Sequence, residues 1–240
     1  MRVRPGLAGA IIFGLAGVAV LLGLGAWQVQ RLAWKEALIA RLEQRLEAAP
    51  VALPSSPDPA RDAFLRVRVS GHIGGRMGGG EVHVLTSLIP YGPGFRVIVP
   101  LTYTTAGASG RVVLVDLGYL PEVMKDAGAR PAGPVEVVGA LYWPDETDGF
   151  TPKPDRAANI WFARDLEPMA GALGTEPLLI VAEQLGGALG GGEWPKPLRL
   201  GVSLVNNHLQ YAITWFSLAL IWVVMSTMLV RRERRRLDRD

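Results

Sequence analysis

The sequence predicts a membrane protein in which two transmembrane α-helices flank a mostly antiparallel β (α+β) extracytoplasmic domain. Two long apolar runs, one near each end of the 240 residues, and a series of strand-like segments between them carry this prediction. A run of about 20 apolar residues is long enough to cross the hydrocarbon core of a bilayer. Once two such spans are set aside, the remaining length suits a single domain.

The first apolar run, residues 7–27, contains no charged side chain and lies between Arg4 and Arg31. A cleaved signal peptide has a shorter apolar core and ends in small residues, whereas this run ends in bulky Trp27. We therefore predict an uncleaved transmembrane helix over residues 7–29, preceded by a cytoplasmic tail at 1–6.

The second apolar run, residues 211–230, is followed directly by five arginines within six residues. Arginine and lysine beside a span tend to stay in the cytoplasm. This pattern predicts a second transmembrane helix over residues 206–230 and a cytoplasmic Arg-rich tail at 231–240. Two spans place both termini on the same side, so residues 50–205 are expected on the other. The sequence predicts a protein of the bacterial inner (plasma) membrane with a periplasmic central domain. The alternative location is an organelle membrane, with the central domain in the equivalent compartment.

The helical pattern is expected to continue beyond the first span. Trp34, Leu38, Leu42 and Leu46 recur every four residues among charged side chains, which predicts an amphipathic juxtamembrane helix over residues 30–49. Such a helix would lie on the membrane surface or cover a sheet. The Pro/Ser-rich residues 50–59 are interpreted as a linker into the folded domain.

Six segments of the central domain have the alternation and the β-branched content of strands. They are residues 64–70, 81–87, 95–101, 111–120, 135–143 and 178–183. None is followed by the helical pattern that a parallel βαβ unit needs, so we expect a mostly antiparallel sheet or a partly closed barrel. One short helix is predicted over 163–173. The glycine clusters at 74–80 and 186–192 are interpreted as loops.

Composition excludes several classes of function. The isoelectric point near 9.4 suggests nucleic-acid binding, but residues 31–208 carry 17 Lys and Arg against 19 Asp and Glu. The basic excess therefore belongs to the tails, and the domain lacks the charge that contacts with a nucleic-acid backbone require. The chain has no cysteine, which excludes disulfides, zinc–thiolate sites and iron–sulfur ligation.

Motifs of catalysis are also missing from the sequence. HExxH, GxSxG and P-loop patterns do not occur, which argues against an enzyme. Asp145, Glu146 and Asp148 form an acidic cluster in a Pro/Gly-containing loop, which we interpret as a solvated turn. His72 and His83 fall in predicted strands without an obvious partner in sequence, and we expect them to be surface or structural histidines.

His208 is the residue that most suggests a function. It lies in a polar run, residues 206–211, at the outer mouth of the second span, where polar groups must find partners. On a helix His208, Tyr211 and Trp215 share one face. The imidazole would ligate a haem iron between aromatic rings, or it would anchor to lipid headgroups within an interfacial aromatic belt that includes Trp27. Spacing alone leaves both interpretations open.

Several segments together resemble the surfeit-locus family of cytochrome c oxidase assembly factors. The resemblance is spread over nearly the whole chain and is clearest at residues 24–31 (LGAWQVQR), 113–121 (VLVDLGYLP), 159–162 (NIWF) and 206–216 (NNHLQYAITWF). The last of these matches the family's second-span signature almost residue for residue. In the second segment, Leu117 stands where the family usually has an arginine.

The resemblance implies a non-enzymatic membrane factor that helps haem a reach the catalytic subunit of a haem-copper cytochrome c oxidase. Its partners would be that subunit, other oxidase assembly factors and the lipid bilayer. His208 matches the family histidine suspected of contacting haem a and would be the axial ligand of the iron. Tyr211 and Trp215 would then pack beside the macrocycle. Because Trp27 and Gln28 end the first span at the same leaflet, we expect them to form the opposite wall of the cofactor site.

A second interpretation also agrees with the resemblance. The chain would be a membrane-anchored scaffold that binds oxidase subunits or other assembly factors without contacting haem, and its central domain would supply the contact surface. The two interpretations differ in what His208 is needed for.

Overall fold

The computed structural model of the chain describes residues 5–74, 80–104, 110–126, 132–202 and 206–237. These residues form two compact units. One contains Met1–Arg41 together with Val202–Asp240, and the other contains Leu42–Gly201. The first unit is helical and the second holds the β-sheet.

Two helices of the described chain are long and apolar enough to cross a membrane. Helix α1 spans Pro5–Glu47 and helix α4 spans His208–Leu237. Only 6% of the most apolar stretch of either helix is buried within the protein, so neither is the core helix of a soluble fold. The two predicted spans are confirmed as candidate membrane helices, and the predicted helical continuation is confirmed because α1 runs unbroken to Glu47. The orientation of the helices stays a prediction.

Glycines of α1 let the two helices of the first unit approach closely. A side-chain carbon at Gly17 would lie 2.2 Å from the Trp222 ring, and one at Gly25 would lie 2.6 Å from the Phe216 ring. The indole Nε1 of Trp222 donates a hydrogen bond to the carbonyl oxygen of Gly14, 3.1 Å away. Small residues that admit a large side chain of a neighbouring helix are the usual means of packing helices in lipid.

The approach of Gly14 to Ser226 provides a direct test of the pairing of the two helices. A Cβ at Gly14 would lie 2.9 Å from the Cβ of Ser226, about 0.6 Å below the lower end of the range of about 3.5–4.5 Å found across disulfides, so a small outward shift of one helix would admit the bond. In this cysteine-free chain, we expect the Gly14→Cys/Ser226→Cys variant to form an intrachain disulfide upon mild oxidation. The shift in electrophoretic mobility on reduction measures it. The control pair Gly9→Cys/Ser226→Cys should stay reduced, because nothing lies within 4 Å of a Cβ at Gly9.

In the described part of the Leu42–Gly201 unit, one sheet contains eight strands. They are β1 (Val51–Ala52), β2 (Arg66–Ile73), β3 (Val82–Leu88), β4 (Gly92–Tyr103), β5 (Arg111–Pro121), β6 (Gly133–Tyr142), β7 (Ile160–Trp161) and β8 (Glu176–Gly187). Strands β2, β6, β8, β5 and β4 pair in that order, and a further pairing between β2 and β4 closes them into a barrel. Strands β3 and β7 extend the sheet from β4.

The strand predictions are confirmed at all six positions, and the sheet is mostly antiparallel as expected. Three pairs are parallel, namely β1–β2, β3–β7 and β5–β8. The sequence did not predict β1 or β7, because two residues are too few to show alternation. Alternate residues of the barrel strands, such as Val67, Val99, Val115 and Ile180, are buried in the core of the barrel.

The interpretation of residues 50–59 as a linker is wrong in part. Val51 and Ala52 pair with β2, and Leu53 is 7% exposed within the barrel core. Asp58 then caps the short helix α2 (Pro59–Asp62) by accepting hydrogen bonds from the backbone of Ala60 and Arg61. Backbone pairing and capping therefore order a segment whose composition indicated a loop.

Two smaller expectations also need adjustment. The predicted helix at 163–173 is present as α3 (Leu166–Leu173), which begins three residues later after Asp165. Gly186 and Gly187 end strand β8 and only the residues after them form a turn, so the second glycine cluster is a loop only in part. Most of the first cluster, residues 75–79, lies outside the described residues.

Candidate functional site

His208 is the first residue of helix α4, and its imidazole meets a side chain of α1. Its Nδ1 lies 2.7 Å from Oε1 of Gln28, which is only 9% exposed. An amide oxygen accepts hydrogen bonds, so Nδ1 of the imidazole is the donor in this pair. In a neutral ring with its proton on Nδ1, the Nε2 atom keeps its lone pair. The contact therefore fixes the ring and leaves one nitrogen able to bind a metal or accept a proton.

The other predicted site residues differ in exposure. Trp215 is half-buried on the same face of α4 as His208 and the buried Ala212. Tyr211 and Trp27 are 55% and 51% exposed, so both present aromatic surface on the outside of the helix pair. The structure thus brings Gln28 and His208 into direct contact. Trp27 directly precedes Gln28 on α1, and Tyr211 lies one turn after His208 on α4, so both aromatic residues are beside this contact.

An unsatisfied polar atom lies two residues before His208. The side-chain oxygen Oδ1 of Asn206 is buried and has no hydrogen-bond donor among the described residues. Leaving a buried acceptor unpaired costs about 1–3 kcal/mol, so such atoms are rare without a functional reason. This oxygen is therefore a candidate to receive a hydrogen bond from a ligand.

The β domain contains a buried network of charges that the sequence analysis did not predict. Asp116 on β5 is fully buried. Its Oδ2 lies 2.6 Å from Nε of Arg96 and 3.4 Å from an Nη of Arg164, and its Oδ1 accepts a hydrogen bond from the backbone of Gly118 at 2.9 Å. The sequence did contain a signal for this network, namely the aspartate inside the apolar strand VVLVDLGYL, because a buried carboxylate needs partners of opposite charge.

Arg164 extends this network to Glu146. Its Nε lies 3.0 Å from Oε1 of Glu146, its backbone N–H donates to the same carboxylate, and its guanidinium lies 4.9 Å from the Tyr142 ring. Burial raises the pKa of Glu146, but the hydrogen bonds and charge of Arg164 outweigh burial and hold the pKa below its usual value.

The acidic residues lie in an exposed segment, in agreement with the interpretation as a solvated turn, but Glu146 has an ionic partner that the sequence analysis did not identify. Arg164, 18 residues further along the chain, folds back onto its carboxylate. Asp148 does behave as an exposed turn residue, because it accepts hydrogen bonds from the backbone of Phe150 and from the Thr151 hydroxyl. No cluster of metal-binding side chains occurs among the described residues.

The two remaining histidines have different environments. His83 on β3 is 4% exposed, with Nε2 2.8 Å from Oε1 of Glu81 and Nδ1 3.4 Å from the Asn159 amide. It is a structural histidine, as predicted, but the partner at Glu81 was overlooked two residues away in the sequence. His72 on β2 is exposed.

A known protein family matches a stretch of the chain that includes both the Gln28–His208 contact and the buried charge network around Asp116. The profile described as the SURF1 family matches residues 15–220. The chain belongs to the SURF1 family. The resemblance to surfeit-locus proteins drawn from the sequence segments is thereby confirmed.

Individual SURF1-family relatives align over most of the chain. It is 33% identical to Surfeit locus protein 1 of Rattus norvegicus over 221 residues, which cover 83% of this chain and 69% of the rat protein. It is 32% identical to Surfeit locus protein 1 of Homo sapiens over 223 residues, with coverage of 82% and 69%. A SURF1-like protein of Monosiga brevicollis is 32% identical over 238 residues, which cover 93% of this chain and 89% of that relative.

Leu117, which the sequence analysis singled out, has a defined structural setting. Leu117 is fully buried in the barrel core, between Asp116 of the charge network and Gly118. The side chain at this position therefore serves packing. The positive charges of this region are supplied by Arg96 and Arg164, which both contact Asp116.

Proposed function

We propose that this chain is a non-enzymatic membrane assembly factor for haem-copper cytochrome c oxidase that helps haem a reach the catalytic subunit. Membership of the SURF1 family and the two candidate membrane helices support the role in oxidase assembly. The observation that carries the haem step is the contact between His208 and Gln28, because it engages Nδ1 and so makes Nε2 of the neutral ring the nitrogen that would bind the iron.

The residues at this contact suit an axial ligand of haem iron. Histidines that bind metals usually donate the other ring N–H to an acceptor, which fixes both the tautomer and the orientation of the ring. Gln28 provides that acceptor at 2.7 Å. A neutral amide enhances the basicity of the imidazole less than a carboxylate would, and a weaker iron ligand suits a factor that must pass its haem on. Haem a would supply the iron as cargo for delivery.

Neighbouring groups would hold the macrocycle without covalent attachment. Tyr211 lies one turn from His208 and is 55% exposed, and Trp27 adjoins Gln28 and is 51% exposed. Their rings offer apolar surface beside the proposed ligand, together with half-buried Trp215. The unpaired Oδ1 of Asn206 would accept a hydrogen bond from a donor on the ligand.

The proposal includes an orientation in the membrane. The Arg-rich end of α4 would lie in the cytoplasm of a bacterium and His208, at the other end of the helix, on the periplasmic side of the inner membrane. The β domain would then be periplasmic. In this orientation haem would be held at the outer leaflet.

A deletion strain tests the function in a bacterium that carries this gene and makes an aa3-type oxidase. We expect deletion to lower membrane haem a content and oxidase activity. Wild-type protein and the His72→Ala variant should restore both, because His72 is an exposed histidine of the β domain. His208→Ala should restore neither, although it accumulates to the same level. Normal haem a and oxidase activity in the deletion strain would refute the assembly role.

Large exposed apolar side chains on the β domain favour the scaffold as the second candidate function. Ile89, Val123 and Phe150 are 93%, 89% and 94% exposed. Isolated residues of this kind are common, but they also supply contacts to partner proteins. Under the scaffold function, His208→Ala would restore oxidase maturation as fully as the wild type does, and polar substitutions at these three positions would impair it.

A further inference from the structure

We propose that α1 and α4 bind one anionic phospholipid at the arginine-rich end of the helix pair. Two cavities that share residues support a lipid site there. One is an apolar groove of about 380 Å³, lined by Phe13, Trp222, Met225, Met228, Leu229 and Arg232. The other is a polar cavity of about 450 Å³ formed by Met228 and four arginines.

The apolar groove has a rigid floor. The Trp222 ring lies 5.2 Å from the Phe13 ring, and its Nε1 donates a hydrogen bond to the backbone of Gly14. Met225 and Met228 are 61% and 63% exposed along its sides. Flexible, polarisable methionines beside a fixed aromatic pair form a surface that adapts to an acyl chain.

The arginines of the polar cavity suit a phosphate group. Arg231, Arg232, Arg235 and Arg236 line it. Arg236 pairs with Glu233 at 3.3 Å, whereas the other three arginines have no carboxylate partner among the described residues. Guanidinium groups bind phosphate through paired N–H donors, and clusters of arginine and lysine directly beyond the end of a membrane helix recur as sites for anionic headgroups.

The dimensions of the site identify the occupant as a lipid. Arg232 lines both cavities and lies ten residues beyond Trp222 on α4. At about 1.5 Å per residue the two side chains are separated by roughly 15 Å along the helix, which is half of the approximately 30 Å hydrocarbon core. A groove one leaflet long that ends in a cluster of cations matches a phospholipid with an anionic headgroup. A neighbouring membrane helix would match the apolar part alone.

Native mass spectrometry of the full chain in mild detergent tests this site. The probes are phosphatidylglycerol and phosphatidylcholine with identical acyl chains, added in equal amounts. We expect one phosphatidylglycerol to be retained in preference to phosphatidylcholine. The Arg232→Gln variant should lower its occupancy about fivefold, the contribution of one arginine near an anionic headgroup. The matched control Arg234→Gln, which removes an arginine outside both cavities, should lower it less than twofold.

Four outcomes would overturn the proposal. Equal retention of the two lipids would show no headgroup recognition, and equal losses for Arg232→Gln and Arg234→Gln would show diffuse attraction to the tail. Displacement of the lipid by millimolar inorganic phosphate would show that the arginines bind the phosphate group alone. Met228→Trp, which fills the groove and keeps every arginine, should reduce retention; unchanged retention would exclude the groove as the acyl-chain site.

Discussion

Replacing Arg164 with leucine is expected to lower the free energy of unfolding of the β domain by about 3–5 kcal/mol. The guanidinium of Arg164 neutralises Glu146 and contributes to the neutralisation of Asp116, which is fully buried. The side chain of Arg164 is itself only 10% exposed, so solvent screens these interactions little. Without the Arg164 guanidinium, Glu146 loses its ionic partner and Asp116 keeps only Arg96. Urea unfolding of the full chain in mild detergent, followed by tryptophan fluorescence, measures the loss.

A surface ion pair provides the control for this prediction. Arg68 and Glu136 face each other on β2 and β6 with side chains 54% and 47% exposed. Arg68→Leu should lower the free energy of unfolding by less than about 1 kcal/mol, because exposed ion pairs contribute little. Equal losses for Arg164→Leu and Arg68→Leu would contradict a stabilising role for the buried network.

Gly118→Ala is expected to destabilise the β domain by a similar amount, about 3–5 kcal/mol, for a reason of backbone geometry. Gly118 has φ +103°, and a Cβ there would lie 2.0 Å from the carbonyl oxygen of Lys196. That oxygen accepts a hydrogen bond from the backbone of Tyr119 at 2.8 Å, and the Lys196 N–H returns one at 2.7 Å. Alanine therefore adds strain and displaces both hydrogen bonds. The same urea titration measures the effect.

Gly149→Ala is the matched control for this substitution. Gly149 lies in an exposed loop, and nothing lies within 4 Å of a Cβ at this position. We expect its free energy of unfolding to change by less than about 0.5 kcal/mol. If Gly118→Ala unfolded at the same urea concentration as Gly149→Ala, the approach of Lys196 to β5 would be contradicted.

Much of the fold could be predicted because single segments of the sequence carry its signals. A run of about twenty apolar residues indicates a membrane helix whatever its neighbours are, and the alternation of apolar and polar residues marked all six longer strands. Strands β1 and β7 contain two residues each and exist only through pairing with β2 and β3. Closure of the barrel likewise depends on the pairing of β2 with β4, which no local pattern indicates.

The candidate site shows the same division between local and distant information. His208 was identified from its polar setting at the end of an apolar run, and Gln28 from its position at the end of the first span, at the same leaflet. Their hydrogen bond joins residues 180 positions apart, so it depends on the register of two packed helices. The contacts of Asp116 with Arg96 and Arg164 are also long-range, which explains why the buried network was not predicted.

The central claim is that His208 binds haem a, and an absorption spectrum tests it most directly. The full chain is purified in mild detergent from cells that make haem a, beside the His208→Ala and His72→Ala variants. We expect a near-stoichiometric haem a band in the wild type and in His72→Ala, and none in His208→Ala. A wild-type protein without haem, or an undiminished band in His208→Ala, would contradict the account.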